Sequence, residues 1–377
     1  MPFLEVSEAI AAMGGESVYQ CMQCGLCSGL CPWSSVDSPF RTRKLVRMGQ
    51  MGIEGFENDE ILYACTTCKL CVDNCPRQVK IIDVIRSMRA MIAESGATPP
   101  SLRPIMGSLH SKGNPWSEPA DKREAWTEGL EVPRFDGSQE YLLFVCCTSA
   151  YEKRSQLIAK AMVKILDACG VSYGIIGNEE RCCGEALRKM GDEEQFGNIV
   201  EKNVKMWADK GVQKVITTSP HSYFTFSQEY PELGSEVEAV HYTQLLKELL
   251  DQGKLTLSGS LAKKVIYHDP CYLGRHSEVF EEPRELLKAA GVELLEYQRN
   301  RKQALCCGGG GGRLWMETEP ENRFSTHKMR QADQAGAEMV ATCCPYCISM
   351  LTDSAKGEGL EEKIPVKDVA EILAECL

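Results

Sequence analysis

The sequence predicts an α+β multidomain protein, with a helical, cysteine-rich amino-terminal domain followed by two duplicated α/β repeats of Rossmann-like type. Three observations predict it. Eight cysteines in the first 76 residues form two copies of one pattern, with helix-forming sequence between them. An alternation of strand, helix and strand sets in at residue 141. The cysteines of the second half recur at a near-constant step, 124 from Cys147 to Cys271, Cys182 to Cys306 and Cys183 to Cys307, and 125 from Ser219 to Cys344 and Ser222 to Cys347. A tandem duplication of that length makes two like units, expected to face each other across a pseudo-twofold axis.

The 377 residues exceed what one core holds, so several domains are expected. Residues 1–95 form the first, with helical spacing over Phe40–Gln50, over 59–64 and over Ile81–Glu94. Residues 96–140 change character, with prolines at 99, 100, 104, 115, 119 and 133 and little periodicity. They are expected to form an ordered arm, because Trp116 and Trp126 give it something to bury. The first repeat, 141–255, reads as strand Tyr141–Cys146, helix Ser155–Ala168, strand Val171–Ile176, helix Gln195–Lys210 and strand Val212–Thr217. Residues 256–377 form the second repeat. Both place their cysteines at strand ends, where ligands gather in parallel α/β sheets.

Bulk properties exclude several functions. A formal charge of −11 argues against nucleic acid as a partner. No apolar run reaches the length of about 18 residues that a spanning helix needs. Met1 to Met13 carries Glu5 and Glu8 and no basic segment, unlike a signal peptide. The expectation is a cytoplasmic protein with reduced thiols, peripheral to a membrane only through a partner. Arg41, Arg43, Lys44 and Arg47 lie between the two cysteine patterns, and Arg77, Lys80, Arg86 and Arg89 follow the second. They read either as a solvated helix face balancing negative clusters or as a docking face for an acidic redox partner.

Cys21-x-x-Cys24-x-x-Cys27-x-x-x-Cys31-Pro32 and Cys65-x-x-Cys68-x-x-Cys71-x-x-x-Cys75-Pro76 have the spacing of a bacterial two-cluster ferredoxin. In that spacing three cysteines wrap one cluster and the fourth reaches the other. The expected ligand sets are Cys21, Cys24, Cys27 with Cys75, and Cys65, Cys68, Cys71 with Cys31, each holding a [4Fe-4S] cubane. Two complete copies argue against zinc. Downstream, Cys271, Cys306-Cys307 and Cys344-Pro345-Tyr346-Cys347 supply five thiols, one more than a cubane needs, which suits a larger or distorted cluster. Gly308–Gly312 would let backbone approach the metal, and no Lys-Ser/Thr follows to make it a phosphate loop. In the first repeat Ser219-Pro220-His221-Ser222 replaces the last pair. There Cys147, Cys182 and Cys183, with His221 or Cys146, would hold zinc or a smaller cluster, or the site is an empty remnant. Cys169 and Cys376 read as packing residues, as do Cys146 and Cys343. His268 and Asp269 read as orienting the Cys271 loop. His276 reads as a surface histidine or, with Arg275, as a source of charge or a proton.

These five cysteines resemble the cysteine-rich CCG domain of heterodisulfide reductases. Two cubane motifs followed by two CCG repeats resemble the fused iron–sulfur subunit of that family, the HdrD type. The likeness extends to Gly113-Asn114-Pro115-Trp116 and His268-Asp269-Pro270-Cys271. It implies a noncubane [4Fe-4S] cluster on Cys271, Cys306, Cys307, Cys344 and Cys347, at which a disulfide is reduced. It also implies an oxidoreductase or electron-transfer subunit whose partners are an HdrA-like flavoprotein, a ferredoxin or a flavin dehydrogenase. The alternative is a pure relay that binds no substrate. No flavin fingerprint is visible, so a flavin would sit in a partner.

Overall fold

The computed structural model of the protein describes residues 3–56 and 60–377; residue 59, where one helical segment is expected to begin, lies outside them. The amino-terminal elements are helices. Leu4–Ile10, Thr42–Met51 and Ile81–Glu94 pack around Ile10, Leu45, Val84, Ile85 and Met88, and short turns at Leu26–Leu30 and Leu70–Asp73 follow the two Cys-x-x-Cys pairs. Helix Ile81–Glu94 has the predicted bounds, because its apolar residues recur at helical spacing and Gly96 follows its end.

The arm departs from its expected irregularity. Arg103–Lys112 is a helix, with Pro104 in its first turn, where a missing N–H costs nothing, and left-handed Gly113 after its last residue. Gly107, Ser108 and His110 blur its periodicity in the sequence. Beyond it, Phe135 N–H donates to Ile175 O at 3.0 Å and Ile175 N–H to Pro133 O at 2.9 Å, so the arm covers an edge of the first sheet.

Each repeat is a four-stranded, all-parallel sheet. The strands are β1 (Tyr141–Phe144), β2 (Tyr173–Gly174), β3 (Lys214–Thr217) and β4 (Glu238–His241) in the first, and β5 (Lys264–Tyr267), β6 (Glu293–Glu296), β7 (Met339–Thr342) and β8 (Val366–Asp368) in the second. The orders are β2-β1-β3-β4 and β6-β5-β7-β8, the same order twice, which is the duplication seen in the fold. Val265↔Met339 and Leu142↔Val215 fix the central registers. In both sheets the chain leaves the first strand to one side and returns to the other, which opens a crevice at the carboxyl ends of β1 and β3, and of β5 and β7. Cys146 and Cys147 follow β1, and Ser219 follows β3. Cys271 follows β5, and Cys343 and Cys344 follow β7.

Arg89, Arg123, Arg188, Arg275 and Arg284 are buried, and three of these five bind groups far away in the chain at the cysteine sites. Arg89 is fully buried, not solvent-facing or docking as either sequence reading had it. Its guanidinium donates to Leu62 O (2.9 Å) and Cys65 O (2.9 Å) in the first domain, Lys189 O (2.7 Å) in the first repeat and Gly311 O (3.0 Å) in the second. One side chain thus ties three modules together, and its burial is tolerable because carbonyls replace water. Arg275 bonds Cys68 O at 2.6 Å and Ala304 O at 2.6 Å. The third, Arg123, belongs to the first repeat's site.

Candidate metal centres

The two ferredoxin-type loops share an unusual backbone. Gln23 and Thr67 stand at φ 61° and 53°, and Gly25 and Lys69 at 85° and 68°, at equivalent places in the two motifs. Left-handed backbone at non-glycine residues costs energy, and its recurrence in both loops marks a functional constraint. The loops wind so that Cys21, Cys24, Cys27 and Cys75 line one hollow, with Arg43 and Arg77 at its edge. In the second loop Cys31 lies near Cys65 and Cys68. Burial, with repulsion from those two, pushes its thiol up to about 12. Burial and repulsion from Cys65, Cys68 and Cys31 raise Cys71 well above the ordinary thiol range. Thiols packed this closely carry thiolate charge only with a cation among them, so both sets fit a thiolate-bound metal group.

In the second repeat Cys271, Cys306, Cys307, Cys344 and Cys347 are all buried and form one chain of sulfur contacts. Cys271 touches Cys306, Cys306 touches Cys307, the Cys347 thiol donates to Cys307 Sγ at 3.3 Å, and Cys344 touches Cys347. Gly308 N–H donates to Cys306 Sγ at 3.3 Å. His268, completely buried, brings a ring nitrogen within 4.8 Å of the Cys307 and Cys347 sulfurs, and neither ring nitrogen has a hydrogen-bond partner among the described residues. Burial keeps this imidazole neutral, with a lone pair free. An orphaned imidazole beside two of the five sulfurs fits a metal group better than an apolar core does. The sequence suggests only an orienting role for His268; its place among the sulfurs is a tertiary fact. Asp269 does the orienting, through Arg284 at 2.7 Å and the Arg301 N–H at 2.9 Å.

The glycine run does more than approach metal. A Cβ on Gly310 or Gly311 would stand 2.4 Å from Thr66 O or 2.3 Å from Cys65 O, so the run lets the second-repeat loop press against the ferredoxin-type loop. Cys68 and Cys306 consequently touch. Tyr272 Oη and Thr67 Oγ1 lie 2.8 Å apart, and His276 Nε2 lies 2.8 Å from Thr67 O, so His276 helps hold this junction and is not a free surface histidine.

The first repeat brings together Cys147, Cys182 and Cys183, with a different cation. Arg123, from the arm, is buried with its Nη1 donating to Cys147 Sγ at 3.2 Å, its Nη2 to Val145 O at 2.9 Å and its Nε to Glu180 Oε1 at 3.0 Å. A hydrogen bond from Cys182 and the guanidinium beside it outweigh burial and pull the Cys147 thiol down to about 6. Ser222 Oγ donates to Cys183 Sγ at 3.4 Å.

His221 faces the other repeat. Its Nδ1 lies 3.0 Å from Glu185 Oε1, and its ring stacks on Tyr272 at 4.0 Å and touches the Cys344 side chain. Against burial, Glu185 raises its pKa to about 10. Tyr346, its counterpart in the second repeat, stands 4.6 Å from the His221 ring and close to Cys182 and Cys183. Each repeat thus sends the middle residue of its Cys-Pro-x-Cys position toward the other's site. Arg123 and Glu185 carry no motif and could not be picked from sequence; His221 could, by its place in the altered Cys-Pro-x-Cys.

Comparison with known proteins agrees with this arrangement. Residues 17–79 match the 4Fe-4S dicluster domain, and residues 141–227 and 265–352 each match the cysteine-rich domain CCG. The "Probable iron-sulfur-binding oxidoreductase FadF" of Bacillus subtilis is 38% identical over 330 residues, 85% of this chain and 47% of its own length. The EtfAB:quinone oxidoreductase of Syntrophomonas wolfei is 35% identical over 83% of this chain and 46% of its own. The chain therefore spans about half the length of these two relatives. A subunit of the dihydromethanophenazine:CoB–CoM heterodisulfide reductase of Methanosarcina barkeri, the one that gives the HdrD type its letter, is 28% identical over 86% of this chain and 80% of its own. With one dicluster domain and two CCG domains in this order, the chain belongs to the heterodisulfide reductase-like family of iron–sulfur subunits, the HdrD type.

Proposed function

We propose that this chain is the iron–sulfur electron-transfer subunit of a heterodisulfide reductase-like redox complex. Cys21, Cys24, Cys27 with Cys75, and Cys65, Cys68, Cys71 with Cys31, would each hold a cubane. Cys271, Cys306, Cys307, Cys344 and Cys347 would hold a noncubane [4Fe-4S] cluster. Such groups, when bound, supply one-electron storage and transfer. The observation that carries the reading is the contiguity of the three thiol sets, with exposed Cys24 in the first, Cys27 of that set near Cys71 of the second, and Cys68 of the second against buried Cys306.

The chain's own residues set the conditions for that task. Arg89, Arg275, Tyr272 and His276 fix the Cys65–Cys68 loop against the second repeat, which holds the separation between sets constant. Buried Tyr272 and His221, with half-buried Tyr346, keep water from the five-cysteine site. His221 offers a hydrogen bond to the Cys344 sulfur, and Glu185 fixes its ring. Arg123 fills the place that a metal would take in the first repeat, so that repeat serves as a wall for the second.

Thiol or disulfide chemistry at the five-cysteine site and a pure relay between a flavoprotein and a further reductase or quinone-linked partner both remain within this reading. Burial of all five cysteines favours the relay, because a bulky disulfide has no exposed sulfur to meet. Among the described residues no helix is long and apolar enough to cross a membrane. The test is turnover of anaerobically purified protein with a reduced donor. Oxidation of the donor with a disulfide as sole acceptor supports thiol chemistry, and strict dependence on another protein of the complex supports the relay. Fewer than about eight irons per chain would remove the reading altogether.

A further inference from the structure

We infer that the surface over the Cys21–Cys24–Cys27–Cys75 hollow is a docking face for an acidic redox protein, through which electrons enter or leave the chain. The inference rests on the reading that this set holds a cluster, and deepens it by naming the kind of partner.

Of the eight ferredoxin-type cysteines Cys24 alone is exposed, whereas Cys68, in the second set, is buried against Cys306. Electron tunnelling falls steeply with distance, so exchange with another protein belongs at the outer set. A second hollow adjoins the first and shares Gln23, Cys24, Gly25 and Arg43 with it; it is lined further by Arg41, Lys44, Arg47 and Ile53. Among the described residues no acidic side chain lines either hollow.

Helix Thr42–Met51 explains the placement. Leu45, Val46 and Gly49 face inward, which leaves Arg43, Lys44 and Arg47 on the outer face. Among the described residues Arg41, Arg43, Lys44, Arg47 and Arg77 form no ion pair. Arg41 turns one nitrogen to the Ser38 and Phe40 carbonyls, Arg47 bonds Gln50, and Arg77 bonds Gln20 O. Several basic residues elsewhere are paired, as in Arg154 with Glu371 and Arg330 with Glu358, whereas here five unpaired cations lie together. Five unpaired cations on a chain of formal charge −11 make a local field opposite to the rest of the molecule, which orients an approaching acidic surface.

Apolar exposure gathers in the same region. Met22 (57% exposed), Leu26 (44%) and Ile53 (36%) border the hollows, and among the described residues five of the eight exposed large hydrophobic side chains lie in the first 53 positions. An apolar centre ringed by charge is the anatomy of a transient protein interface, in which the charges set the encounter rate and the apolar residues set contact.

The experiment uses the whole iron-loaded protein and a reduced flavodoxin as an acidic probe. Stopped-flow bleaching of the visible cluster absorption gives the second-order rate as ionic strength rises, and calorimetry with the same flavodoxin gives binding. The triple variant Arg43→Glu, Lys44→Glu, Arg47→Glu is expected to slow reduction by about tenfold or more at low salt, with the difference vanishing at high salt. Reversal of exposed Lys202, Lys205 and Lys288 on the repeats should change the rate less than about twofold. Equal rates for the two triples, or a wild-type rate indifferent to salt, overturns the inference. So does charge-dependent flotation on phosphatidylglycerol vesicles with an unchanged flavodoxin rate, because the face is then a lipid surface. Charge-dependent flavodoxin binding that survives Cys24→Ser, in protein whose iron content that change leaves unaltered, upholds the docking face while removing the cluster from this set.

Discussion

The two repeats put unlike things at the same place in one fold. At the carboxyl ends of β5 and β7 five sulfurs and an unpartnered imidazole lie together, with the Arg275, Lys328 and His221 side chains around them. At the ends of β1 and β3 three sulfurs remain and a guanidinium lies against one of them, 3.2 Å from Cys147. The sequence changes that separate the sites act together. Ser219 and Ser222 remove two thiols, Glu180 stands where the second repeat has Ala304 and anchors Arg123, and Glu185 stands where it has Gly309 and holds His221. A crevice lined by thiolates needs positive charge, and a side chain supplies it as well as a metal does. On the proposed reading the first repeat needs no metal of its own, and its His221 reaches the Cys344 side chain of the second.

That contrast is broken most decisively by the cysteines. Cys344→Ser should lower iron from about 12 to about 8 per chain while the cubane spectrum stays, whereas Cys182→Ala should leave iron unchanged. Loss of iron with Cys182→Ala, or loss of every cluster with Cys344→Ser, would contradict the division between the repeats. Iron analysis after anaerobic purification reads both.

Arg123 sharpens it next. Arg123→Met strands Glu180 and Cys147 in the interior, at an expected cost of about 3–5 kcal/mol, and the double change Arg123→Met with Glu180→Leu should recover much of it. If the guanidinium holds the place of a metal, Arg123→Met with Glu180→Leu should also take up one equivalent of zinc that Cys182→Ala abolishes. Elemental analysis and thermal inactivation rates separate these effects.

The same pair has a pH signature. The Cys147 thiol is pulled below its ordinary value, so its stabilising contribution is complete above about pH 9 and is lost as pH falls through about 6. Hydrogen-exchange protection of β1 and β3, compared with Cys147→Ser, should therefore narrow toward the variant's value between pH 9 and 6. A constant difference across that range would show that the thiolate is not what Arg123 recognises.

The smallest expected effect is at His221. Losing one hydrogen bond of about 1 kcal/mol to the Cys344 sulfur corresponds to roughly 40 mV for a one-electron couple. His221→Phe keeps the stack on Tyr272 and should lower the potential of the five-cysteine site by about that much, with the cubane potentials unmoved. Redox titration followed by electron paramagnetic resonance distinguishes the sites; an unchanged potential would leave His221 only a packing role.

Spacing alone carried a great deal. Cys-x-x-Cys-x-x-Cys-x-x-x-Cys-Pro constrains a short loop so tightly that its chemistry can be read without a fold, and the 124-residue step exposed the duplication because the same cysteines stand at the same strand ends in both repeats. The parallel sheets followed from alternation of apolar runs, and the crevice sites from where in each run the cysteines fell. What sequence could not decide is which buried charges meet across modules. Arg89 has the look of one of several helix-surface cations, yet the packing of three modules closes over it. Arg123 lies in a segment without periodicity, and the glycine run reads as a metal cradle until its approach to Cys65 and Thr66 is seen. Spacing fixes what is local in the chain, whereas the partner of a buried charge lies tens to hundreds of residues away and is chosen by whichever carbonyls and thiols the folded modules leave unsatisfied.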